Sequence, residues 1–281
     1  MRRRCRAQAA SRPSRLSSGS GGGHLVFGYT TYFDMVDVCE AVAHELAACS
    51  LPLSSSARAG ALDWGQLPFR ALVRDPFDLS RRPLLPSINT LTIRRGPSGA
   101  SFMLHQRDAA SVAVAGGVYH VMPAGVFQPS SIAPWDQAND FDLWRNVMRE
   151  FSEEFLGNPE HDGTGGVPID YDSEPFRSLT AARNQGRLRT HCFGIGLDPL
   201  TLAGEILTVA VIDADAFDDV FEELVTANSE GLLVATNPDR LTEGVPFTGE
   251  NVSRLLTSGS LAPSAAACLA LTWQHRDRLL G

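Results

Sequence analysis

The clearest pattern of hydrophobic and polar positions lies at residues 140–157. Large apolar side chains recur there at three- and four-residue spacing, which predicts an amphipathic helix with one apolar side. The apolar positions are Leu143, Trp144, Val147, Met148, Phe151 and Phe155. Gly157 is expected to end the helix, because glycine readily adopts the left-handed conformation that follows a helix.

Other apolar patterns predict a sheet before and after this helix. Short apolar or alternating segments bounded by turn residues are typical of strands. The predicted strands are residues 88–94, 101–106, 117–122, 189–197 and 205–214, and further helices are predicted at 175–185 and 263–280. Because strands and helices do not alternate regularly, the order of elements predicts an α/β fold that is not a doubly wound parallel sheet.

The first 86 residues differ in pattern from the rest. Residues 1–23 are rich in arginine and serine and contain no acid, so they are predicted to be a disordered basic tail. Residues 24–86 are predicted to form an extension, with a strand, a helix that Asp34 begins, and an irregular proline-rich connector. The main domain is predicted to span residues 87–281.

Composition places the chain among globular proteins and limits its partners. The 281 residues are 43% hydrophobic, with a net charge of −8, which argues against broad attraction to nucleic acid or to anionic membranes. Direct nucleic-acid binding is therefore not expected. No apolar run is long enough to cross a bilayer, and the five cysteines lack disulfide or zinc spacing, so a cytoplasmic protein is predicted. The sequence does not fix the oligomeric state, and a homodimer is compatible with it.

Three glutamates give the predicted helix its candidate chemistry. Glu150, Glu153 and Glu154 stand at i, i+3 and i+4, so their carboxylates project from one face and repel one another. A cation between them, either Arg149 or a divalent metal that prefers oxygen ligands, would turn this repulsion into attraction. A solvated acidic face is the other interpretation of the same pattern.

The residues around these acids resemble the signature of the Nudix family of diphosphate hydrolases. Residues 149–154, Arg-Glu-Phe-Ser-Glu-Glu, match the Arg-Glu-apolar-any-Glu-Glu core of the Nudix box, and residues 119–125, Tyr-His-Val-Met-Pro-Ala-Gly, resemble the strand and turn before it. The chain departs from the family at three places. Phe141 stands where the family has a glutamate, residues 129–139 look like an insertion, and Leu156 stands at the family's glycine.

The resemblance, which covers the layout of residues 84–281, implies a fold and a reaction. The fold would be a Nudix-like α/β/α sandwich, with the box helix on one face of a mixed sheet, the C-terminal helix on the other, and an N-terminal strand-helix extension. The reaction would be Mg²⁺- or Mn²⁺-dependent hydrolysis of a nucleoside diphosphate linked to another moiety, or of a related phosphorylated metabolite. Glu153 and Glu154 would hold the metal, and Glu150 would act as a base or as a further ligand. Arg149 would orient Glu150 through a charge-assisted hydrogen bond.

Asp142 is a candidate replacement for the metal ligand that is missing at Phe141. If the helix extends back to residue 140, Asp142 lies near the face of Glu150, whereas Asp140 is rotated well away from it. Substitution of Asp142 is then expected to reduce turnover, and substitution of Asp140 is expected to matter little.

A second function stays open beside the hydrolase. The missing glutamate, the insertion and the displaced glycine are also what a Nudix-like module without turnover would show, since hydrolysis needs accurately placed ligands. The chain is similar to Nudix-like regions of bacterial helix-turn-helix transcriptional regulators. Such a module would sense a nucleotide-like or phosphorylated small molecule for a regulatory partner.

Overall fold

The structure is a computed structural model and describes residues 3–8, 26–50, 64–107, 118–163, 165–225, 231–234 and 243–281. The chain divides into two compact units. The first comprises Met1–Pro86 with Leu197–Gly204, and the second comprises Ser87–Gly196 with Glu205–Gly281. None of the helices within the described ranges is long and apolar enough to span a membrane.

In the first unit, a short antiparallel ladder leads into a long helix. β1 (Arg3–Gln8) pairs with β2 (Val26–Thr31), and α1 (Tyr32–Ser50) follows directly. Thr31 and Asp34 exchange hydrogen bonds of 3.2 Å, backbone N to side-chain oxygen in each direction, which satisfies donors at the start of α1. β1 lies within the segment that the sequence analysis predicts to be a disordered basic tail, and that assignment stays a prediction. The rest of that segment, residues 1–2 and 9–23, lies outside the described residues.

A second helix, α2 (Pro68–Val73), packs against α1 in the same unit. Glu45 of α1 accepts hydrogen bonds of 2.7 and 3.0 Å from the backbone N–H groups of Phe69 and Arg70. The first turn of a helix has N–H groups with no partner inside the helix. Glu45 supplies that partner and places a negative charge at the favourable end of α2.

The second unit contains the box segment, two sheets and the C-terminal helices. Its strands are β3 (Ser87–Gly96), β4 (Gly99–Phe102), β5 (Leu104–Arg107), β6 (Tyr119–Val121), β7 (Ala124–Val126), β8 (Leu188–Leu197), β9 (Gly204–Asp213), β10 (Gly231–Val234) and β11 (Val245–Pro246). Its helices are α3 (Pro134–Asp140), α4 (Leu143–Glu154), α5 (Phe176–Asn184), α6 (Ala214–Val220), α7 (Gly249–Thr257), α8 (Pro263–Gln274) and α9 (Arg276–Leu280). The end of β8 at Leu197 and the start of β9 at Gly204 belong to the first unit.

The main sheet is mixed. β3 pairs in parallel with β9 and antiparallel with β4 and β7, and the strand order is β11-β4-β3-β9-β8. β3 and β9 are buried along most of their length, which is typical of central strands covered on both faces. A smaller antiparallel sheet has the order β10-β5-β6.

Helix α8 covers one face of the main sheet and α4 covers the other. Because successive strand residues point to opposite faces, odd-numbered residues of β3 such as Leu91 join Leu269 of α8 in one buried cluster. The even-numbered Thr90 lies on the other side, where it borders a cavity together with Val147 of α4. The predicted sandwich, with the box helix opposite the C-terminal helix, is confirmed.

The box helix starts later than predicted. Asp142 has extended backbone angles, φ −150° and ψ 128°, and its carboxylate accepts a hydrogen bond of 3.0 Å from the backbone N of Arg145. Asp142 is therefore the N-cap of α4, and a capping residue must leave the helical conformation. The insertion forms its own helix, α3, and the chain turns at Phe141 between the two helices. The expectation of a helix reaching back to residue 140 was wrong, whereas Gly157, at φ +66°, turns the chain after α4 as expected.

Candidate functional site

Two of the box glutamates converge on one turn of the chain. Glu154 is buried, and its Oε1 accepts a hydrogen bond of 2.6 Å from the backbone N of Ala124 at the start of β7. The carboxylate of Glu150, one helical turn earlier, lies against the next residue, Gly125. A Cβ atom on Gly125 would stand 2.1 Å from Oε1 of Glu150, so only glycine leaves room for this carboxylate at the turn. The i, i+4 spacing of the two acids brings them to the same place.

The inner side of this turn is a buried polar layer. Oε2 of Glu154 lies 3.7 Å from Nδ1 of His105, and both side chains are almost completely buried. His105 stands opposite His120 across β5 and β6, with ring centroids 6.1 Å apart. Nε2 of His120 is 3.3 Å from the hydroxyl of Ser264 on α8. Glu154 is thus positioned from the backbone of Ala124 on one side and from an imidazole on the other.

Asn146 positions Glu150, and the sequence analysis did not assign it a role. The Asn146 side chain donates to Oε1 of Glu150 at 3.2 Å and accepts from the backbone N of Gln128 at 3.1 Å. It is fully buried, so its amide is held in one place below the partly exposed carboxylate of Glu150. Asn146 stands four residues before Glu150, which puts the two side chains on one helix face. This spacing is a sequence signal that could have identified Asn146 as a partner of Glu150.

The other two predicted metal ligands lie elsewhere. Oε1 of Glu153 accepts a hydrogen bond of 2.9 Å from the backbone N of His161, and Asp142 caps α4. The prediction that Asp142 lies near the face of Glu150 assumed helical geometry back to residue 140. It does not hold, because residue 142 is not helical. Within the ranges that the structure describes, no group of three or more His, Cys, Asp or Glu side chains is arranged to hold a metal ion.

Arg149 connects the box helix with the insertion. Its guanidinium is buried, donates through Nη2 to the carbonyl oxygen of Gln128, and lies 3.9 Å through Nη1 from Oδ2 of Asp140. Gln128 and Asp140 stand at the two ends of the inserted segment. Arg149 therefore fixes both ends of the insertion to α4, and its expected action on Glu150 stays a prediction.

Asp140 is a buried acceptor of several hydrogen bonds, a role that the helical spacing of the sequence could not predict. Its side chain is 1% exposed, and Oδ2 accepts hydrogen bonds from the backbone N and the hydroxyl of Ser130 at 2.8 and 2.6 Å. Oδ1 accepts from the Asn139 amide at 3.1 Å and from the Tyr171 hydroxyl at 3.0 Å. Burial, the largest influence, raises the pKa of Tyr171, so its phenol remains a donor at neutral pH. Most of these partners are distant in sequence, so no local periodicity indicates them.

The loop after α4 is held against the helix by His161. Its Nε2 lies 3.3 Å from the hydroxyl of Ser152, and its ring centroid lies 5.3 Å from that of Phe176. Burial, followed by the nearby guanidinium of Arg149, lowers the pKa of His161 below its usual value. A neutral imidazole at neutral pH suits a ring that packs against an aromatic side chain.

The donor set at the Ala124–Gly125 turn fits an ion of the magnesium type. Such an ion takes oxygen ligands, keeps several waters, and often binds through one or two carboxylates together with substrate phosphates. Glu150 and Glu154 supply two carboxylates, and the missing Cβ of Gly125 leaves the space that one of them occupies. With two converging acids among the described residues, an ion here would depend on further oxygens from water and phosphate.

Comparisons with known proteins give a distant resemblance. No protein-family model matches the chain, and no curated protein matches its sequence. It is similar to the NUDIX domain of Shewanella oneidensis NrtR complexed with ADP ribose, at 15% identity over 70% of this chain and 88% of that chain, with a TM-score of 0.36. It is also similar to a NUDIX hydrolase from Alicyclobacillus acidocaldarius, at 15% identity over 66% and 90% of the two chains with a TM-score of 0.36. A mutT/nudix family protein from Listeria innocua matches at 15% identity over 70% and 98%, with a TM-score of 0.33.

Proposed function

We propose that this chain is a Nudix-like hydrolase that uses Mg²⁺ or Mn²⁺ to cleave a nucleoside diphosphate linked to another moiety, or a related phosphorylated metabolite. The convergence of Glu150 and Glu154 on the Ala124–Gly125 turn carries this proposal. Two carboxylates one helical turn apart repel each other, and a divalent cation between them offsets that repulsion. The phosphates of the substrate would complete the oxygen ligands of that cation.

Each residue at the site has a separate task in this proposal. Glu150 and Glu154 would hold the metal, which when bound would neutralise charge on the diphosphate and acidify an attacking water. Asn146 holds Glu150 through its amide, and the backbone N of Ala124 holds Glu154. Arg149 keeps the insertion in place beside them.

In this proposal the other two candidate metal ligands, Glu153 and Asp142, have structural roles. Glu153 holds the loop at His161, and Asp142 begins the box helix at Arg145. These two carboxylates are engaged at two different segments, whereas the carboxylates of Glu150 and Glu154 meet at the Ala124–Gly125 turn. We therefore place Glu150 and Glu154 in the metal site ahead of Glu153 and Asp142.

The test is turnover of a panel of nucleoside-diphosphate compounds, ADP-ribose among them, with Mg²⁺ or Mn²⁺. Release of phosphate or nucleotide is expected from the wild type. Glu150→Gln and Glu154→Gln should each lower it by more than about 100-fold, the upper range for losing even an outer partner of a metal ligand. In Glu154→Gln the new amide oxygen can still accept from Ala124, so the fold should survive. Glu160→Gln, an exposed acid in the following loop, is the matched control. Full activity in the first two variants would refute the assignment.

Metal binding has a readout that does not need turnover. Millimolar Mg²⁺ or Mn²⁺ should raise the melting temperature of the wild type, because an ion that binds the folded state stabilises it by mass action. Glu154→Gln should abolish this rise, and Glu160→Gln should keep it. An equal rise in all three proteins would mean that the acids form a solvated face only.

A ligand-sensing module without turnover is the second candidate. Two observations favour it: the described residues hold no three-acid cluster suited to a metal, and Phe141 replaces the family's glutamate. The Phe141 ring is 52% exposed and lies 5.7 Å from that of Phe127. Stabilisation of the protein by a member of the same panel, without release of product, would establish the sensor and exclude the hydrolase.

A further inference from the structure

A cavity of about 160 Å³ lies beneath the first two turns of α4. Its floor is formed by β3, β9 and the edge strand β8, and its roof by large side chains of α4. Short side chains on the strands leave this space open under the helix. The short residues are Thr90, Thr190, Cys192 and Thr208, and the roof residues are Leu143, Trp144 and Val147.

Two hydroxyls in the floor of the cavity are already hydrogen-bonded. The hydroxyls of Thr90 and Thr208 lie 2.7 Å apart, and the Thr208 hydroxyl also donates to the backbone oxygen of Asn89 at 3.0 Å. Hydroxyls that are already paired gain little from a polar ligand. The paired hydroxyls and the apolar side chains of the roof therefore favour an apolar group.

The roof and the rim carry polar groups of another kind. The ring of Trp144 lines the cavity, but its Nε1 has almost no accessible surface, so a ligand in the cavity does not reach that N–H group. The exposed guanidinium of Arg183, on α5, lies 4.9 Å from the Trp144 ring centroid. Among the described residues no carboxylate is paired with Arg183. The cavity is thus bordered by a cation, Arg183, and the imidazole of His191 also lines it.

We propose that this cavity binds a small aromatic carboxylate, with the ring between Val147 and the strands and the carboxylate at Arg183. The volume fits one ring, since a protein cavity of about 150 Å³ accommodates benzene. A mostly apolar pocket with a few placed polar groups is the usual form of a small-molecule site. In a chain with a net charge of −8, an anion depends on a local cation such as Arg183. The lining includes none of Glu150, Glu153 and Glu154, so this site does not depend on the proposed hydrolase activity.

The probe for this proposal is benzoate, with binding to the full-length protein measured by calorimetry and by tryptophan fluorescence. Saturable binding is expected in the wild type. Benzyl alcohol, which has the ring but no charge, should bind at least about 10-fold more weakly, because a charge-assisted hydrogen bond is roughly twice as strong as a neutral one. Absence of benzoate binding at tens of millimolar would overturn the proposal.

Variants locate the ligand. Arg183→Gln should weaken benzoate binding by about 10-fold or more, while Arg177→Gln should leave it unchanged. Arg177 is the matched control, because it lies on the same helix, is exposed, and pairs with Glu174 at 2.7 Å away from the cavity. Cys192→Phe replaces a short, exposed side chain of the cavity lining by a large one and should abolish binding. Full benzoate affinity in both Arg183→Gln and Cys192→Phe would refute the site.

A further variant separates the two proposals. Glu150→Gln is expected to remove turnover and to leave benzoate affinity unchanged. If Glu150→Gln weakened benzoate binding as much as Arg183→Gln, the ligand would lie at the box acids, and the cavity proposal would fail. If the wild type bound benzoate but showed no turnover, the hydrolase proposal alone would fail.

Discussion

Replacement of Asp140 by asparagine should destabilise the second unit, because the buried carboxylate accepts from several donors at once. If the amide nitrogen takes the place of Oδ2, it faces the backbone N–H of Ser130; if it takes the place of Oδ1, it faces the Asn139 amide. In either orientation one N–H donor loses its acceptor, at a cost of roughly 1–3 kcal/mol. The hydroxyl of Tyr171 can rotate and accept, so it adds little. Loss of the negative charge 3.9 Å from Arg149 adds to this, and the expected total is about 2–4 kcal/mol.

The assay is urea denaturation followed by tryptophan fluorescence, with Asp142→Asn as the matched control. Asp142 is exposed and caps α4, and asparagine caps helices about as well as aspartate. Its free energy of unfolding should therefore change by less than about 0.5 kcal/mol. If Asp140→Asn lowered the free energy of unfolding by less than about 1 kcal/mol at an unchanged denaturant slope, the carboxylate would not be what closes the insertion.

Four further outcomes follow from the same structure. Gly125→Ala should displace the carboxylate of Glu150 from the turn, because the new Cβ atom would lie 2.1 Å from it. The rise in melting temperature that Mg²⁺ or Mn²⁺ causes should then disappear. An unchanged rise would contradict the proposed metal site. Burial raises the pKa of the Cys268 thiol to about 12. Iodoacetamide at pH 8.5 should therefore label the exposed Cys192 and leave Cys268 unlabelled, and peptide mass mapping would measure both. The thiol of Cys268 ionises near pH 9 in the unfolded chain and keeps its proton in the folded one. The free energy of unfolding should therefore fall as the pH rises above about 9. In Cys268→Ser this fall should be less steep. Burial and a nearby cation lower the pKa of His161, so the folded state resists its protonation. Denaturation at pH 5.5 and 7 should show stability falling as the pH drops below about 6.5, and His161→Gln should remove part of that fall.

The sequence by itself determined the elements whose signals are local. The apolar stripe from Leu143 to Phe155 identified the box helix, and the helix packs with that stripe inward, since Val147, Phe151 and Phe155 are buried. Gly157 marked the turn after it. The apolar segment at residues 205–214 identified a central strand, which is β9. These features depend on residues within a few positions of one another, so a periodic pattern is enough to predict them.

The tertiary structure decided where each carboxylate points. Glu150, Glu153 and Glu154 share a helix face, yet they reach Gly125, His161 and Ala124, and these partners come from segments before and after the helix. Helical spacing fixes the direction of a side chain but not what lies in front of it. An aspartate has the same carboxylate whether it caps a helix or closes a loop. The different roles of Asp142 and Asp140 could therefore not be predicted from the local sequence pattern either. The break between α3 and α4 separates them, and the long-range hydrogen bonds that only the folded chain brings together decide which role each one takes.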